Sequence, residues 1–130
     1  MILDTAFLID LMNGESNAFQ KLNKLLKTNE PQFVTALTIF ELYDGLARCT
    51  DQDKEQTKIK NILSNQIILP LGAIEAEKAG KIHGTLKKEG KPIQAMDSMI
   101  AGIALHKKEK IMTRNVKDFS KVKGIDVETY

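Results

Sequence analysis

The sequence is poor in cysteine, in histidine and in long apolar runs, and each shortage excludes a class of protein. A single cysteine, Cys49, leaves no internal disulfide and is expected to be a packed thiol. The two histidines, His83 and His106, lack the spacing of zinc ligands, so we expect a core or interface position for His83 and an exposed position for His106. No apolar run reaches the ~18 residues that a membrane span needs.

The chain also lacks a strong net charge and a secretory signal. Asp4 and Asp10 interrupt the N-terminal apolar stretch, so with the single cysteine we expect a cytoplasmic protein without membrane contact. A formal net charge of +2 does not identify a nucleic-acid binder, and the glycines form no phosphate-binding motif. A basic segment is present instead, which could hold phosphates or could simply be solvated: Lys107, Lys108, Lys110, Arg114, Lys117, Lys121 and Lys123.

Short apolar strands alternate with helices along the whole chain. A length of 130 residues favours one domain, spanning 1–130, and a hydrophobic content of 42% is typical of a soluble globular protein. The predicted strands are 2–3, 32–35, 67–69, 111–113 and 125–127, and the predicted helices are 5–12, 16–27, 38–47, 51–64, 73–88 and 97–108. This alternation predicts an α/β fold with a parallel sheet that is covered on both faces.

Three carboxylates lie far apart in the sequence at places that such a sheet brings to one edge. Asp4 ends the first strand, Glu41 lies near the start of a helix, and Asp97 opens a helix of small apolar residues. Asn115 follows the fourth strand, and ligands gather beyond the carboxyl ends of parallel strands. Crowded carboxylates repel unless a cation lies between them, and oxygen ligands suit Mg²⁺ or Mn²⁺. The sequence therefore favours a metal-dependent phosphodiesterase.

Each of these residues also has a simpler interpretation. Asp4 could cap the first helix, and Glu41 could close a capping box with Thr38. Asp97 could favour a helix dipole, and Asn115 could begin a turn. One shared site accounts for all four at once, which is the more economical hypothesis.

Four stretches together resemble the PIN-domain family and, within it, the VapC-type toxins of toxin–antitoxin pairs. The stretches are 2–5, 38–46, 97–101 and 113–119. The resemblance implies a three-layer α/β/α sandwich with parallel strands in the order 3-2-1-4-5. It also implies an endoribonuclease that depends on Mg²⁺ or Mn²⁺ and cleaves single-stranded RNA.

The resemblance also implies the roles of the site residues. Asp4, Glu41 and Asp97 match the three acidic positions of the family, and many members carry a fourth aspartate where this chain has Asn115. Asn115 offers no charge, which leaves one or two metal ions open. Asp118 is either an alternative source of that charge or, as we favour, a solvated loop residue.

In the mechanism that follows from this resemblance, Asp4 and Asp97 hold the metal, directly or through water. Glu41 completes the cluster and orients or deprotonates the attacking water, while Asn115 positions a water or a phosphate oxygen. The remaining candidates are phosphate contacts from Arg114 and Lys117 and water contacts from Thr5 and Ser98.

Two partners besides RNA are expected. The resemblance implies a small antitoxin and a homodimer, and the sparse apolar face of helix 51–64, with Ile59, Ile62 and Leu63, favours burial against a second copy. The alternatives are a non-catalytic RNA-binding domain and a PIN nuclease of RNA processing. A phosphoacceptor domain is disfavoured because no second acid adjoins Asp4.

Overall fold

A five-stranded parallel sheet forms the centre of the computed structural model, which describes all of residues 1–130. The strands are β1 Ile2–Leu3, β2 Phe33–Thr35, β3 Ile67–Leu69, β4 Ile111–Met112 and β5 Val127–Glu128. Their order is β3-β2-β1-β4-β5, and every neighbouring pair is parallel. The predicted fold class and strand order are confirmed.

Seven helices connect the strands and cover the sheet. They are α1 Thr5–Met12, α2 Ser16–Lys27, α3 Ala36–Leu46, α4 Gln52–Leu63, α5 Ala73–Lys88, α6 Ala95–Lys107 and α7 Val116–Phe119. Helix α3 starts two residues before the predicted position because Thr35, rather than Thr38, is its N-cap and accepts from the Thr38 amide. Asp97 lies in the first turn of α6 instead of opening it. Helix α7 was not predicted, and the last strand lies two residues beyond its predicted start.

Successive residues of the short strands enter different cores, as the two-residue period of a strand requires. Leu3 of β1 and Met112 of β4 pack with α1, α2, α3 and α4, whereas Ile2 and Ile111 pack with α5, α6 and α7. The sheet is therefore buried on both faces, which gives the three layers. None of the seven helices combines the length and the apolar character that a membrane span requires.

Helix α4 is more deeply packed than the sequence suggested. Ile59 is 1% exposed and belongs to the core, while Ile62 and Leu63 are partly buried against the same cluster. Ile59 therefore gives no reason for a homodimer, because α1 and α3 of the same chain pack against this helix. Ile62 and Leu63 keep part of their apolar surface uncovered.

The two histidines and the cysteine differ in how far they match expectation. His83 was expected in the core or at an interface; it is half-buried outside the core, and its Nδ1 lies 3.0 Å from Ser98 Oγ. His106 was expected to be exposed, but it is half-buried with Nε2 3.2 Å from Glu75 Oε1. Cys49 is half-buried, and its sulfur lies 3.5 Å from the carbonyl oxygen of Gly45.

Helices α5 and α6 approach closely because small residues line their contact. A Cβ atom added at Gly102 would lie 2.5 Å from the Glu75 carbonyl oxygen and 2.9 Å from Ala79 Cβ. Both neighbours belong to helix α5, and the first is backbone, so neither can rotate away. The close approach is what fixes α6, and with it Asp97, against the sheet.

We expect Gly102→Ala to lower the free energy of unfolding by about 2–3 kcal/mol, the upper range for overpacking a core. Equilibrium urea unfolding would measure the loss. Gly80→Ala is the matched control, because an added Cβ there meets nothing within 4 Å. Gly80→Ala should be neutral or stabilising, since alanine favours a helix. An unchanged midpoint for Gly102→Ala would mean that the two helices separate easily.

Candidate active site

Four elements bring their polar residues to the carboxyl edge of the sheet. Strand β1 lies at the centre, with β2 on one side and β4 on the other, so the chain leaves neighbouring strands in different directions. Asp4 follows β1 directly, and Asn115 follows β4 by three residues. Glu41 comes from the second turn of α3, and Asp97 comes from the first turn of α6. This edge is where doubly wound sheets bind ligands.

Asp4 is held by the neighbouring strand. It occupies the N-cap position of α1, but its side chain makes no capping hydrogen bond. Instead Thr113, which is fully buried, donates its hydroxyl to Asp4 Oδ2 at 2.7 Å. The same Thr113 oxygen accepts from the backbone N–H of Asn115 at 2.9 Å. The capping alternative is therefore not realised, and the carboxylate faces the end of β4.

Glu41 is held by a chain of three threonines. Thr5 donates to Glu41 Oε1 at 2.8 Å, and Thr5 Oγ1 lies 3.0 Å from Thr38 Oγ1. Thr35 Oγ1 lies 3.5 Å from the same Thr38 oxygen. Each hydroxyl carries one proton and the carboxylate only accepts, so the bonds are oriented towards Glu41. The capping-box alternative fails because Glu41 contacts Thr5 rather than the backbone of Thr38.

Asn115 joins Asp97 to Asp118. Its side-chain amide donates to Asp97 Oδ2 and to Asp118 Oδ2, both at 3.2 Å. An ionised carboxylate only accepts hydrogen bonds, so the group of Asn115 that faces both aspartates must be its NH2. This fixes the orientation of the side-chain amide. From the sequence, Asn115 was expected to position a water or a phosphate oxygen. In this structure it supplies donors, which reduces the repulsion between the two aspartates without adding charge.

The electrostatics of the site follow from burial and crowding. Burial raises the pKa of Asp97 from 3.8 to about 6, and the charges of Asp4, Glu41 and Asp118 add to the shift. Burial also raises the pKa of Glu41 and of Asp4. Asp118 differs, because its hydrogen bond with Lys121 lowers the pKa of its half-buried carboxyl. Three carboxylates thus resist ionisation at one place, which is where a cation would be held most strongly.

The donor set fits Mg²⁺ or Mn²⁺, although not as a closed cage. Asp4, Glu41 and Asp97 form no ion pair with a lysine or arginine, so their charges are open to a metal. No three carboxylate or imidazole groups lie close enough together to enclose an ion directly. Mg²⁺ keeps several waters and commonly binds through one or two carboxylates. An open, partly hydrated ion therefore suits this arrangement.

The remaining candidates lie in different places. Thr5 contacts the acidic cluster through Glu41, as described above. Arg114 is exposed at the rim, with Nε 3.2 Å from Asp10 Oδ2, and Lys117 is exposed in the first turn of α7. The structure does not bring Ser98 to the cluster, because Ser98 is 1% exposed and its hydroxyl contacts His83 and the carbonyl oxygen of Gln94. Its predicted contact with a site water is therefore dropped.

Sequence reasoning missed two groups of supporting residues. Thr113 was placed in a strand and in the stretch 113–119 but was given no role at the site, although a hydroxyl at the end of a strand beside a candidate acid is a usable signal. Asp10 and Tyr130 were not singled out, and they contact Arg114 or each other from distant parts of the chain. Nothing in the local sequence marks that contact.

Comparison with known proteins identifies the family. A family model described as the PIN domain matches residues 1–125. This chain belongs to the PIN domain family. The match spans all four elements that supply the acidic cluster, so Asp4, Glu41, Asp97 and Asn115 all lie within the PIN domain.

Relatives of this PIN domain carry consistent names. Ribonuclease VapC of Rickettsia bellii is 30% identical over 132 residues, covering 99% of this chain and 95% of the relative. The tRNA(fMet)-specific endonuclease VapC of Shigella flexneri is 28% identical over 97 residues, covering 75% and 74% of the two chains.

Solved structures agree with the fold. VapBC2 from Rickettsia felis, bound to a promoter DNA fragment, superposes with a TM-score of 0.90 at 22% identity, covering 99% and 97% of the two chains. VapBC-1 from nontypeable Haemophilus influenzae superposes with a TM-score of 0.85 at 26% identity, covering 98% and 96%. The observed sheet order and layers are thus those of the VapC-like PIN fold.

Proposed function

We propose that this PIN domain is an endoribonuclease that depends on Mg²⁺ or Mn²⁺, cleaves single-stranded RNA and is the toxin of a toxin–antitoxin pair. The observation that carries the proposal is the cluster of Asp4, Glu41 and Asp97 at the carboxyl edge of the sheet, where none of the three has a cationic partner. The relatives named ribonuclease VapC support the nuclease and the toxin class.

The residues of the acidic cluster would have different roles in RNA cleavage. Asp4 and Asp97 would hold the ion, and Glu41 would share it or face the attacking water. When bound, the metal supplies Lewis acidity and neutralises charge that develops on the phosphate. Glu41 is suited to accept the proton of the attacking water, because burial raises the pKa of its carboxyl and Thr5 fixes one oxygen. Asn115 keeps Asp97 in place through its amide.

An apolar cavity of about 360 Å³ supports the proposal that this chain binds a protein partner. It lies between α1, α2 and α4 and is lined by Leu3, Leu8, Leu11, Met12, Phe19, Leu22, Lys58, Asn61, Ile62 and Gln66. The solved neighbours are VapBC complexes, and one is bound to promoter DNA. We therefore propose that a small antitoxin binds this chain.

A homodimer stays a proposal, and a surface apart from α4 suits it better. Exposed apolar side chains lie on α3, on edge strand β3 and at the start of α5, where Phe40 is 63% exposed, Ile67 57% and Ile74 54%. These residues suit burial against a second copy. A sedimentation measurement at micromolar concentration that finds only monomer would remove it.

A cleavage assay tests the nuclease directly. We expect the purified chain with millimolar Mg²⁺ to cut a single-stranded RNA and to leave a perfect RNA duplex of the same sequence intact. Glu41→Gln should remove most of the activity, because the amide keeps its acceptor for Thr5 but cannot take up a proton. RNA binding without cleavage under any divalent ion would favour the non-catalytic RNA-binding alternative. Preference for a structured precursor RNA would favour the processing alternative.

A further inference from the structure

A buried aspartate beside the acidic cluster has no role in the mechanism described so far. Asp10 lies in α1 and is 7% exposed. Its Oδ2 accepts a hydrogen bond from the Tyr130 hydroxyl at 2.5 Å and lies 3.2 Å from Arg114 Nε. This one oxygen atom of α1 therefore contacts both Arg114, which follows β4, and Tyr130, which follows β5.

Tyr130 is itself fixed by packing. Its ring meets Phe7 of α1 edge-on, with centroids 4.8 Å apart and an interplanar angle of 68°. Burial, together with the hydrogen bond and charge of Asp10, raises the pKa of the Tyr130 hydroxyl, so it stays protonated at neutral pH. The hydroxyl is thus a permanent donor that holds the Asp10 carboxylate in one orientation.

This arrangement engages one side of the Arg114 guanidinium and leaves the other open. The closest approach to Asp10 is through Nε, and no hydrogen bond occupies the two terminal amino groups. The Arg114 side chain is 58% exposed, while that of Asp10 is 10% exposed. Burial raises the pKa of Asp4, and the charge of Arg114 opposes that rise, so the cation lies within electrostatic reach of the cluster. Two parallel N–H groups suit a bidentate contact with a phosphate.

We propose that Asp10 and Tyr130 are positioning residues that hold Arg114 as a phosphate clamp for the RNA strand entering the acidic cluster. This inference rests on the nuclease function proposed above. The clamp would contact the backbone rather than a base, so it would add affinity without sequence preference. It would also offset the repulsion between the RNA phosphates and the nearby carboxylates.

The neighbouring cavity is a less suitable place for the phosphate. A cavity of about 260 Å³ is lined by Asp10, Glu15, Asn17, Arg114 and Tyr130. Its two carboxylates outnumber its one guanidinium, so an anion would be repelled there. The contact is therefore assigned to the exposed terminal amino groups of Arg114 outside this cavity, within electrostatic reach of Asp4, where a bound metal would add positive charge.

The main competing interpretation is that the contacts among Asp10, Arg114 and Tyr130 only hold Tyr130 against α1 and stabilise the fold. Steady-state cleavage of a single-stranded RNA, measured at several salt concentrations with the full chain, separates the two. Arg114→Gln should raise KM about tenfold, as expected for one lost charge-assisted contact. It should also reduce the slope of log KM against log salt by about 0.7, the value for one phosphate contact to a single strand. The kcat value should change less than KM.

Tyr130→Phe tests the positioning step, because it removes the hydroxyl and keeps the ring against Phe7. We expect it to raise KM about threefold in the wild-type background and not at all in the Arg114→Gln background, since the effect acts through Arg114. Tyr43→Phe is the matched control, because Tyr43 is exposed on α3 and its hydroxyl makes no hydrogen bond within the chain; it should leave KM unchanged. Asp10→Asn should resemble Tyr130→Phe.

The outcomes are distinct. A Tyr130→Phe variant that melts at lower temperature with unchanged KM, or that raises KM equally in both backgrounds, would overturn the clamp and leave a structural tie. If the wild type cleaves no RNA, the proposed function fails, and the same variants are then compared by their dissociation constants for the RNA. The same dependence of Tyr130→Phe on Arg114 in binding would still support the clamp, and its absence would overturn it.

Discussion

Replacing Asp97 with asparagine should reduce RNA cleavage about a hundredfold to a thousandfold, the range for removing one electrostatic group from a site. The same change should make the metal-free protein more stable at neutral pH. Asparagine keeps the oxygen that accepts from the Asn115 amide, so the local hydrogen bond survives. What disappears is one negative charge among Asp4, Glu41 and Asp118.

The stability gain has a defined pH window. The folded pKa of Asp97 is about 6, above the usual value of 3.8. Well below pH 3.8 the residue is protonated in both states and costs nothing. Between these values the unfolded chain ionises first and is favoured, and above pH 6 the full cost is present. Asp97→Asn should therefore add about 1–2 kcal/mol at pH 7, after allowing for solvent screening, and at most a few tenths of a kcal/mol (~0.2) near pH 3.5.

Thermal melting with chelator at pH 3.5, 5 and 7 would measure this gain. Asp118→Asn is the matched control, because its pairing with Lys121 lowers the pKa of its carboxyl. Removing that charge should leave stability unchanged or slightly lower at pH 7. If Asp97→Asn melts at a lower temperature than wild type at pH 7, Asp97 has a structural role and the shared acidic site is in doubt.

The parts of the site that follow from a strand end could be predicted from the sequence. Asp4 directly after β1 and Asn115 soon after β4 lie at the same edge in any parallel sheet, whatever the packing details. Glu41 was ambiguous, because Thr38 three residues before it forms a plausible capping box. The structure settles the ambiguity, because Thr35 is the N-cap of the helix and Thr5 donates to Glu41. The contact between Thr5 and Glu41 joins residues that are far apart in the sequence, so it exists only in the folded chain.

Long-range contacts could not be predicted from local pattern. Tyr130 and Asp10 are 120 positions apart, and no periodicity links them. Helix α7 has four residues, too few for a helical repeat to show. The burial of Ile59 was missed for a related reason, since the helix is mostly polar and its partners lie in α1 and α3. Sequence alone also could not show that Asn115 presents its amide donors to the aspartates.

Removal of divalent metal should abolish cleavage completely, and its return should stabilise the fold. The unfolded chain has no assembled site, so an ion that binds the folded cluster shifts the equilibrium by mass action. Magnesium binds such open sites weakly, and at a concentration ten times its dissociation constant the gain is about 1.4 kcal/mol. Manganese should give the same gain at lower concentration, following the general affinity order. Calcium should support little cleavage, because its larger and more flexible coordination does not match the site.

The test is a melting curve and an RNA cleavage assay, each titrated with the three ions after chelator treatment. Asp4→Asn is the matched variant, since its amide oxygen can still accept from Thr113 while the charge is lost. It should neither cleave RNA nor gain stability from magnesium. The gain in the wild type should also fall below pH 6, because protonation of Asp97 competes with the ion. Cleavage that persists in excess chelator, or wild-type melting that ignores both magnesium and manganese, would refute the metal-dependent nuclease and favour the RNA-binding alternative.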